Sequence, residues 1–178
     1  AEAEGSPEEL EASIERLGHL WGFANGALCR HRSLAEYFGQ QLAADNCGAC
    51  DVCLGELDQV EDPLVISQKI LSSVIRQDQR FGADYTVKVL RGSTEQRVLD
   101  NGHDRLSTYG LLEDHDVRAV RGWVEQLVAQ GFLAKTGEYN VLQVTGTGRG
   151  VLSGEETPRL LKPAKAAGAR KSKSHEDS

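Results

Sequence analysis

Four cysteines constrain this chain more than any other feature: Cys29, then Cys47, Cys50 and Cys53, with no others in the sequence. The last three share a two-residue spacing in Cys47-Gly48-Ala49-Cys50-Asp51-Val52-Cys53, and Cys29 stands eighteen positions before Cys47. Gly48 gives the backbone freedom that a tight loop needs to aim several thiolates at one point. A closed structural zinc site takes four tetrahedral ligands, and four cysteines supply them without histidine. The spacing therefore predicts one structural Zn²⁺ on Cys29, Cys47, Cys50 and Cys53. An iron–sulfur cluster fits less well, because ferredoxin-type runs keep their fourth cysteine close downstream and follow it with proline. A disulfide framework fits less well still, since nothing at the N-terminus resembles a signal peptide. A thiol redox enzyme would need reactive, low-pKa cysteines instead of metal-held ones. With no open ligand position, such a zinc holds a fold together and performs no chemistry.

The length of 178 residues suits one or two small domains, and 39% apolar content is enough for ordinary cores. No apolar run approaches the ~18 residues that a membrane span needs. The net charge of −7 is unevenly spread. Residues 1–62 carry 3 Lys/Arg against 13 Asp/Glu, residues 63–150 carry 11 against 10, and residues 151–178 carry 6 against 4. Acidity is thus concentrated around the cysteines, and it does not argue against a nucleic-acid partner for the second half.

Along the chain, Leu10, Ile14, Leu17, Trp21 and Ala24 recur at helical spacing after the helix start Ser6-Pro7-Glu8-Glu9. Asn25-Gly26-Ala27 ends or kinks this helix, and a second helical run from Leu28 stops at Gly39. The expected unit is a zinc-pinned helical hairpin over 1–57, too small to be held by its own core. Gly55–Pro63 reads as an acidic linker. Beyond it, Leu64–Gln79 is amphipathic, with Leu64, Ile66, Ile70, Leu71, Val74 and Ile75 on one face. Tyr85–Leu90 fits a helix or a strand equally, and a short helical piece follows around Thr94–Leu99. Asp116–Gln130 is a strong helix with Val117, Val120, Val124, Leu127 and Val128 inward and Gly131 as its stop. Phe132–Lys135 and Tyr139–Thr145 form a hairpin around Thr136-Gly137-Glu138. Trp21 and Trp123 lie on amphipathic helices and read as core residues. The fold class is mainly α with a small β-hairpin: a four-cysteine zinc hairpin, then a winged helix-turn-helix over 58–153. Gly146–Gly150 reads as a flexible exit from the wing, and 154–178 as a disordered basic tail.

These residues carry a specific resemblance. Leu28-Cys29-Arg30, Tyr37-Phe38-Gly39 and the cysteine triplet resemble the zinc-binding module of RecQ-family DNA helicases. Gln79-Arg80-Phe81-Gly82, Val89-Leu90-Arg91-Gly92-Ser93, Gln96-Arg97, Gly102-His103-Asp104, Tyr109-Gly110 and Gln130-Gly131-Phe132-Leu133 resemble the winged-helix (RQC) domain of the same family. The resemblance implies an ATP-dependent motor unwinding DNA 3′ to 5′ in repair, recombination or replication, in the bacterial cytoplasm at the nucleoid. It also implies that this region follows the motor in cis. The sequence holds no G-x-x-x-x-G-K-[ST] phosphate loop, so ATP and Mg²⁺ belong to a motor outside these residues.

Double-stranded DNA is then the expected partner, at duplex ends or forks, bound by a monomer with little sequence specificity. Arg91, Ser93 and Arg97 lie at a turn and the following helix start, where a backbone N–H and a guanidinium can share a phosphate. By resemblance, Arg91 and Ser93 match phosphate-contacting positions of the family, and Arg121 matches another. Lys88, Arg105 and Arg118 are weaker candidates, each also readable as a solvated surface charge. Tyr139 is the only aromatic near the wing turn, readable either as a strand-separating wedge or as a packing residue. His103 is expected to hydrogen-bond within the core. The alternative from another class is a free-standing zinc and winged-helix transcription regulator or adaptor, which would recognise one operator and dimerise.

Overall fold

A computed structural model describes residues 6–44 and 46–163. Helix α1 (Pro7–Asn25) starts at a capping box: the Ser6 hydroxyl accepts from the Glu9 N–H at 3.3 Å, and the Glu9 carboxylate accepts from the Ser6 N–H at 2.9 Å. The chain leaves the helix at Gly26, and α2 (Arg30–Tyr37) begins with Cys29 as its N-cap residue. Gly39, with φ of 74°, closes α2 in the left-handed conformation that glycine adopts without strain. Leu10, Leu17 and Leu20 on α1 are exposed, so the apolar spacing that predicts this helix does not bury it among the described residues. The side chains of Ile14 and Trp21 lie outside the described set.

The second half builds a single core from α3 (Pro63–Arg76), α4 (Ala83–Leu90), α6 (Val117–Ala129) and the hairpin of β1 (Leu133–Thr136) with β2 (Val141–Val144). Between α4 and α6 run α5 (Gln96–Asp100) and one 3-10 turn, His103–Arg105. The hairpin is antiparallel, pairing Leu133 with Val144 and Thr136 with Val141. It is also sewn to the α3–α4 connection: the Leu142 N–H donates to the Phe81 carbonyl at 2.9 Å, and the Val144 N–H to the Gln79 side chain at 2.8 Å.

Tyr85–Leu90, open between helix and strand in the sequence, is helical because α4 is buried on two faces. Ala83, Val87 and Leu90 enter the main core, while Tyr85 and Val89 pack with Val98 in a second cluster flanked by Phe81, Leu106 and Tyr109. Between these faces, the Thr86 hydroxyl donates to Gln77 at 3.1 Å, and Gln77 donates to the Ser73 hydroxyl at 2.8 Å, satisfying three buried polar side chains. Two inward assignments need correction. Ile75 and Val117 are exposed, because each lies at the edge of its helix's apolar arc.

The Gly-rich segment after the wing is not a flexible exit. It forms α7 (Gly146–Ser153), capped by the Thr145 hydroxyl accepting from the Gly148 N–H at 3.0 Å. The helix backs so closely onto the wing that a Cβ on Gly148 would collide with the Phe132 carbonyl. Nor does disorder begin at 154. Pro158, Leu160 and Leu161 are buried, and the Trp123 indole and Gln126 amide both donate to the Leu161 carbonyl, at 3.0 and 3.4 Å. This strand-like segment pairs with the supposed linker, the Val60 N–H donating to Leu160 at 3.1 Å and the Lys162 N–H to Asp58 at 2.8 Å. Residues 164–178 lie outside the described set.

Candidate zinc centre and nucleic-acid surface

The hinge between α1 and α2 delivers Cys29, and the loop after α2 delivers Cys47, Cys50 and Cys53, to one place. All four sulfurs lie within 4.8 Å of one another, with Cys29 buried and the other three half-buried. A tetrahedron of 2.3 Å Zn–S bonds sets sulfurs about 3.8 Å apart, so the donor set and its spread suit one zinc ion. Backbone geometry supports thiolates here, since the Cys53 N–H points at Cys50 Sγ and the Cys47 N–H at Cys53 Sγ, both at 3.4 Å. Burial pushes the Cys50 thiol up, but N–H donors of Arg30 and Cys53 and neighbouring thiols outweigh it and bring the group down to about 6. Burial, together with the adjoining thiols, pushes Cys53 up to about 11. Hydrogen bonds among the thiols couple their protons. A metal ion replaces those protons when it binds thiolates.

Arg30, next to Cys29, braces the site. Its guanidinium pairs with Asp51 side-on, Nε to Oδ1 at 3.1 Å and Nη2 to Oδ2 at 3.3 Å. The same group donates to the carbonyls of Phe23 and Gly26 at the end of α1. The Arg30 hydrogen bond also holds the Asp51 carboxyl below the usual carboxylate range. Sequence reasoning missed this brace. Its partners are 21 residues apart, and only their flanking of cysteines hinted at it.

In the winged helix, Asp84, Lys88, Arg91, Ser93, Glu95 and Arg121 line one cleft of about 610 Å³. Both ends of α4, the turn after it and the first turns of α6 supply them. Two of its cations are held by acids: Lys88 Nζ lies 2.7 Å from Glu95 in the cleft, and Arg121 pairs with Asp84 in the cleft and, at 3.1 Å, with Glu125 beside it. Arg91 donates from Nη2 to the Glu113 carbonyl at 3.3 Å, and its buried Nε has no hydrogen-bond partner among the described residues. Ser93 Oγ accepts from the Glu95 N–H at 3.3 Å.

Other candidates fall elsewhere. Arg97 lies over the rings of Tyr85 and Phe81, 5.2 and 6.0 Å from their centroids. Arg118 is exposed on the first turn of α6, and Arg105 is exposed on the 3-10 turn, neither lining the cleft. Tyr139 is 82% exposed at the wing tip, which excludes packing on the domain face. His103 is buried with Nδ1 2.8 Å from the Tyr85 hydroxyl, and burial holds its imidazole below the ordinary value.

The class the fold and site define is a zinc-ready four-thiol helical hairpin followed by a winged helix. Residues 1–54 match the RecQ zinc-binding family and residues 58–168 the RQC domain, so the chain belongs to the RecQ family, as its C-terminal region. Over 161 residues it is 34% identical to the ATP-dependent DNA helicase RecQ of Pasteurella multocida, covering 88% of this chain and 25% of the relative. Identity to the same-named proteins of Haemophilus influenzae and Bacillus subtilis is 35% and 32%, covering 88% and 90% of this chain and 26% and 27% of theirs. The chain therefore spans about a quarter of the length of these curated relatives. No helix among the described residues is long and apolar enough to cross a membrane.

Proposed function

We propose that this region is the DNA-gripping accessory part of a 3′-to-5′ helicase acting in repair, recombination or replication. Cys29, Cys47, Cys50 and Cys53 hold one structural zinc, which fixes the hairpin against a motor in cis. The winged helix takes duplex DNA at ends or forks, as a monomer and without reading sequence. ATP and Mg²⁺ act only in the motor, and translocation against this grip separates strands. The observation that carries the reading is the cleft itself. Lys88, Arg91, Ser93 and Arg121 converge from α4, the turn after it and α6 to line it, and such guanidinium, ammonium and hydroxyl donors suit a phosphate. In this reading Arg97 and Arg118 serve as secondary phosphate contacts outside the cleft, and Tyr139, exposed at the wing tip, serves as an aromatic wedge.

The test is fluorescence anisotropy of the zinc-loaded chain with duplexes of unrelated sequence over a range of salt. Arg91→Ala should weaken all duplexes alike and lower the log–log salt slope by about 0.9. A change of preference among sequences would favour an operator-reading regulator instead.

A further inference from the structure

A second cleft, of about 280 Å³, lies between α3 and the loop before α6 and belongs to none of the assignments above. Gln68, Lys69, Ser72, Arg76, Ser107 and Thr108 line it, and no acid does. It contrasts with the first cleft, where carboxylates cover Lys88 and Arg121. Lys69, Ser72 and Arg76 share one face of α3 by their three- and four-residue spacing. Lys69 Nζ uses one proton on the Leu111 carbonyl at 3.2 Å, leaving two. Arg76 is exposed, with no ion pair recorded for its guanidinium among the described residues. Across from them Thr108 is 3% exposed, and its buried Oγ1 has no hydrogen-bond partner among the described residues.

From this set we infer a second phosphate-binding site, in which Lys69, Arg76 and the hydroxyls of Ser72, Ser107 and Thr108 take a phosphate group of a nucleic-acid strand. Two cations with several neutral donors suit a tetrahedral oxyanion with three or more acceptor positions. The cleft is open, and Val65 and Leu111 are the only apolar side chains among its lining residues. It also adjoins the first cleft through one loop. Leu111 accepts from Lys69 and Glu113 accepts from Arg91, two residues apart on the segment that separates the clefts. The choice of a nucleic-acid phosphate rests on the proposed DNA grip; the oxyanion chemistry does not.

The experiment is an NMR titration of the zinc-loaded chain with inorganic phosphate, then with a short duplex, read at the amides of Ser72, Ser107 and Thr108. Saturable shifts at these amides are expected with both probes. Arg76→Ala should abolish the phosphate response and lower the duplex salt slope by about 0.9, in addition to any loss from Arg91→Ala. Thr108→Val, which keeps shape and removes the hydroxyl, should weaken the phosphate response without unfolding the domain. An unchanged slope and phosphate response in Arg76→Ala overturns the site, even if Arg91→Ala weakens binding and the grip stands. A loss of slope in Arg76→Ala but not in Arg91→Ala supports this site and removes the first cleft from the grip. Shifts of the same amides by an acidic peptide, at concentrations where phosphate and duplex give none, would assign the cleft to a protein partner and overturn it.

Discussion

Arg30 and Asp51 form a two-point ion pair, 3.1 and 3.3 Å, that ties the residue after the first cysteine to the residue after the third. Because Arg30 also caps the carbonyl end of α1, the metal loop, the hinge and the long helix share one anchor. Partners that orient metal ligands are commonly worth 10–100-fold in affinity. Asp51→Ala should therefore weaken zinc binding by roughly that factor while leaving one zinc per chain, measured by competition with a chromogenic chelator. Affinity equal to wild type would reduce the pair to surface decoration.

Removal of a ligand is a harsher test. Structural zinc supplies about 10–16 kcal/mol in small modules, and the exposed Leu10, Leu17 and Leu20 show how little core the helical hairpin has of its own. Cys50→Ser should unfold the hairpin and leave α3–α7 folded, seen as loss of amide dispersion confined to residues before about Asp58. Metal analysis of the parent chain giving no zinc, or iron, would count against the assignment.

Gly148 tests the packing of α7 on the wing. An added methyl would overlap the Phe132 carbonyl and meet a Val144 methyl at 3.0 Å, so backbone must move. Gly148→Ala should cost about 1–3 kcal/mol despite alanine's better helix propensity, whereas Gly146→Ala, with nothing within 4 Å, should be neutral or mildly stabilising. Urea midpoints of the two variants make the comparison.

The readability of this chain followed from which forces act locally. Metal-ligand spacing needs no tertiary context, and the cysteines that the spacing joins do converge. The amphipathic faces of α3 and α6 were visible for the same reason, apart from Ile75 and Val117 at their edges. Helix α4 was ambiguous because burial on two faces erases the polar side that gives a helical period. The order of α7 and of Pro158–Leu161 was hidden, since glycine-rich and basic composition says nothing of a carbonyl that accepts from Trp123 thirty-eight residues away. Cation positions were legible as residue types, but not the carboxylates that cover them.

Those carboxylates yield a further expectation. Asp84 is largely exposed, so its pair with Arg121 adds little stability, yet it competes with phosphate for the same guanidinium. Asp84→Asn should tighten duplex binding a few-fold and steepen its salt dependence, leaving the urea midpoint within about 0.5 kcal/mol of wild type. Weaker binding would argue that the pair positions Arg121 rather than masking it.

His103 sets a pH dependence whose sign is fixed by burial. Its folded pKa lies below the ordinary 6.5, with Asp78 pulling weakly the other way. The unfolded chain therefore takes up the proton first, so this contribution is full above 6.5 and shrinks as pH falls toward the folded value. In a Trp21→Phe chain, the urea midpoint followed by Trp123 fluorescence should fall between pH 7 and 5.5. The fall should be smaller in His103→Phe. Equal slopes would place the pH dependence elsewhere.

The wing tip carries the last expectation. Tyr139 is 82% exposed beside Asn140, whose φ of 48° turns the hairpin, and no aromatic contact to its ring is recorded among the described residues. A residue in that position contributes almost nothing to folding, so Tyr139→Ala should change stability by less than about 0.5 kcal/mol. That makes it a clean probe of function. If the ring stacks on the terminal base pair, its loss removes a contact worth about 1–3 kcal/mol, by analogy with aromatic stacking on single-stranded bases. If the full-length protein is the helicase proposed above, the variant should then unwind several-fold more slowly, while DNA-stimulated ATP hydrolysis is unchanged, because the motor still translocates. Slowed hydrolysis together with slowed unwinding would point to coupling with the motor instead. Unwinding at the wild-type rate would leave strand separation to the grip of Arg91 and Arg121 alone.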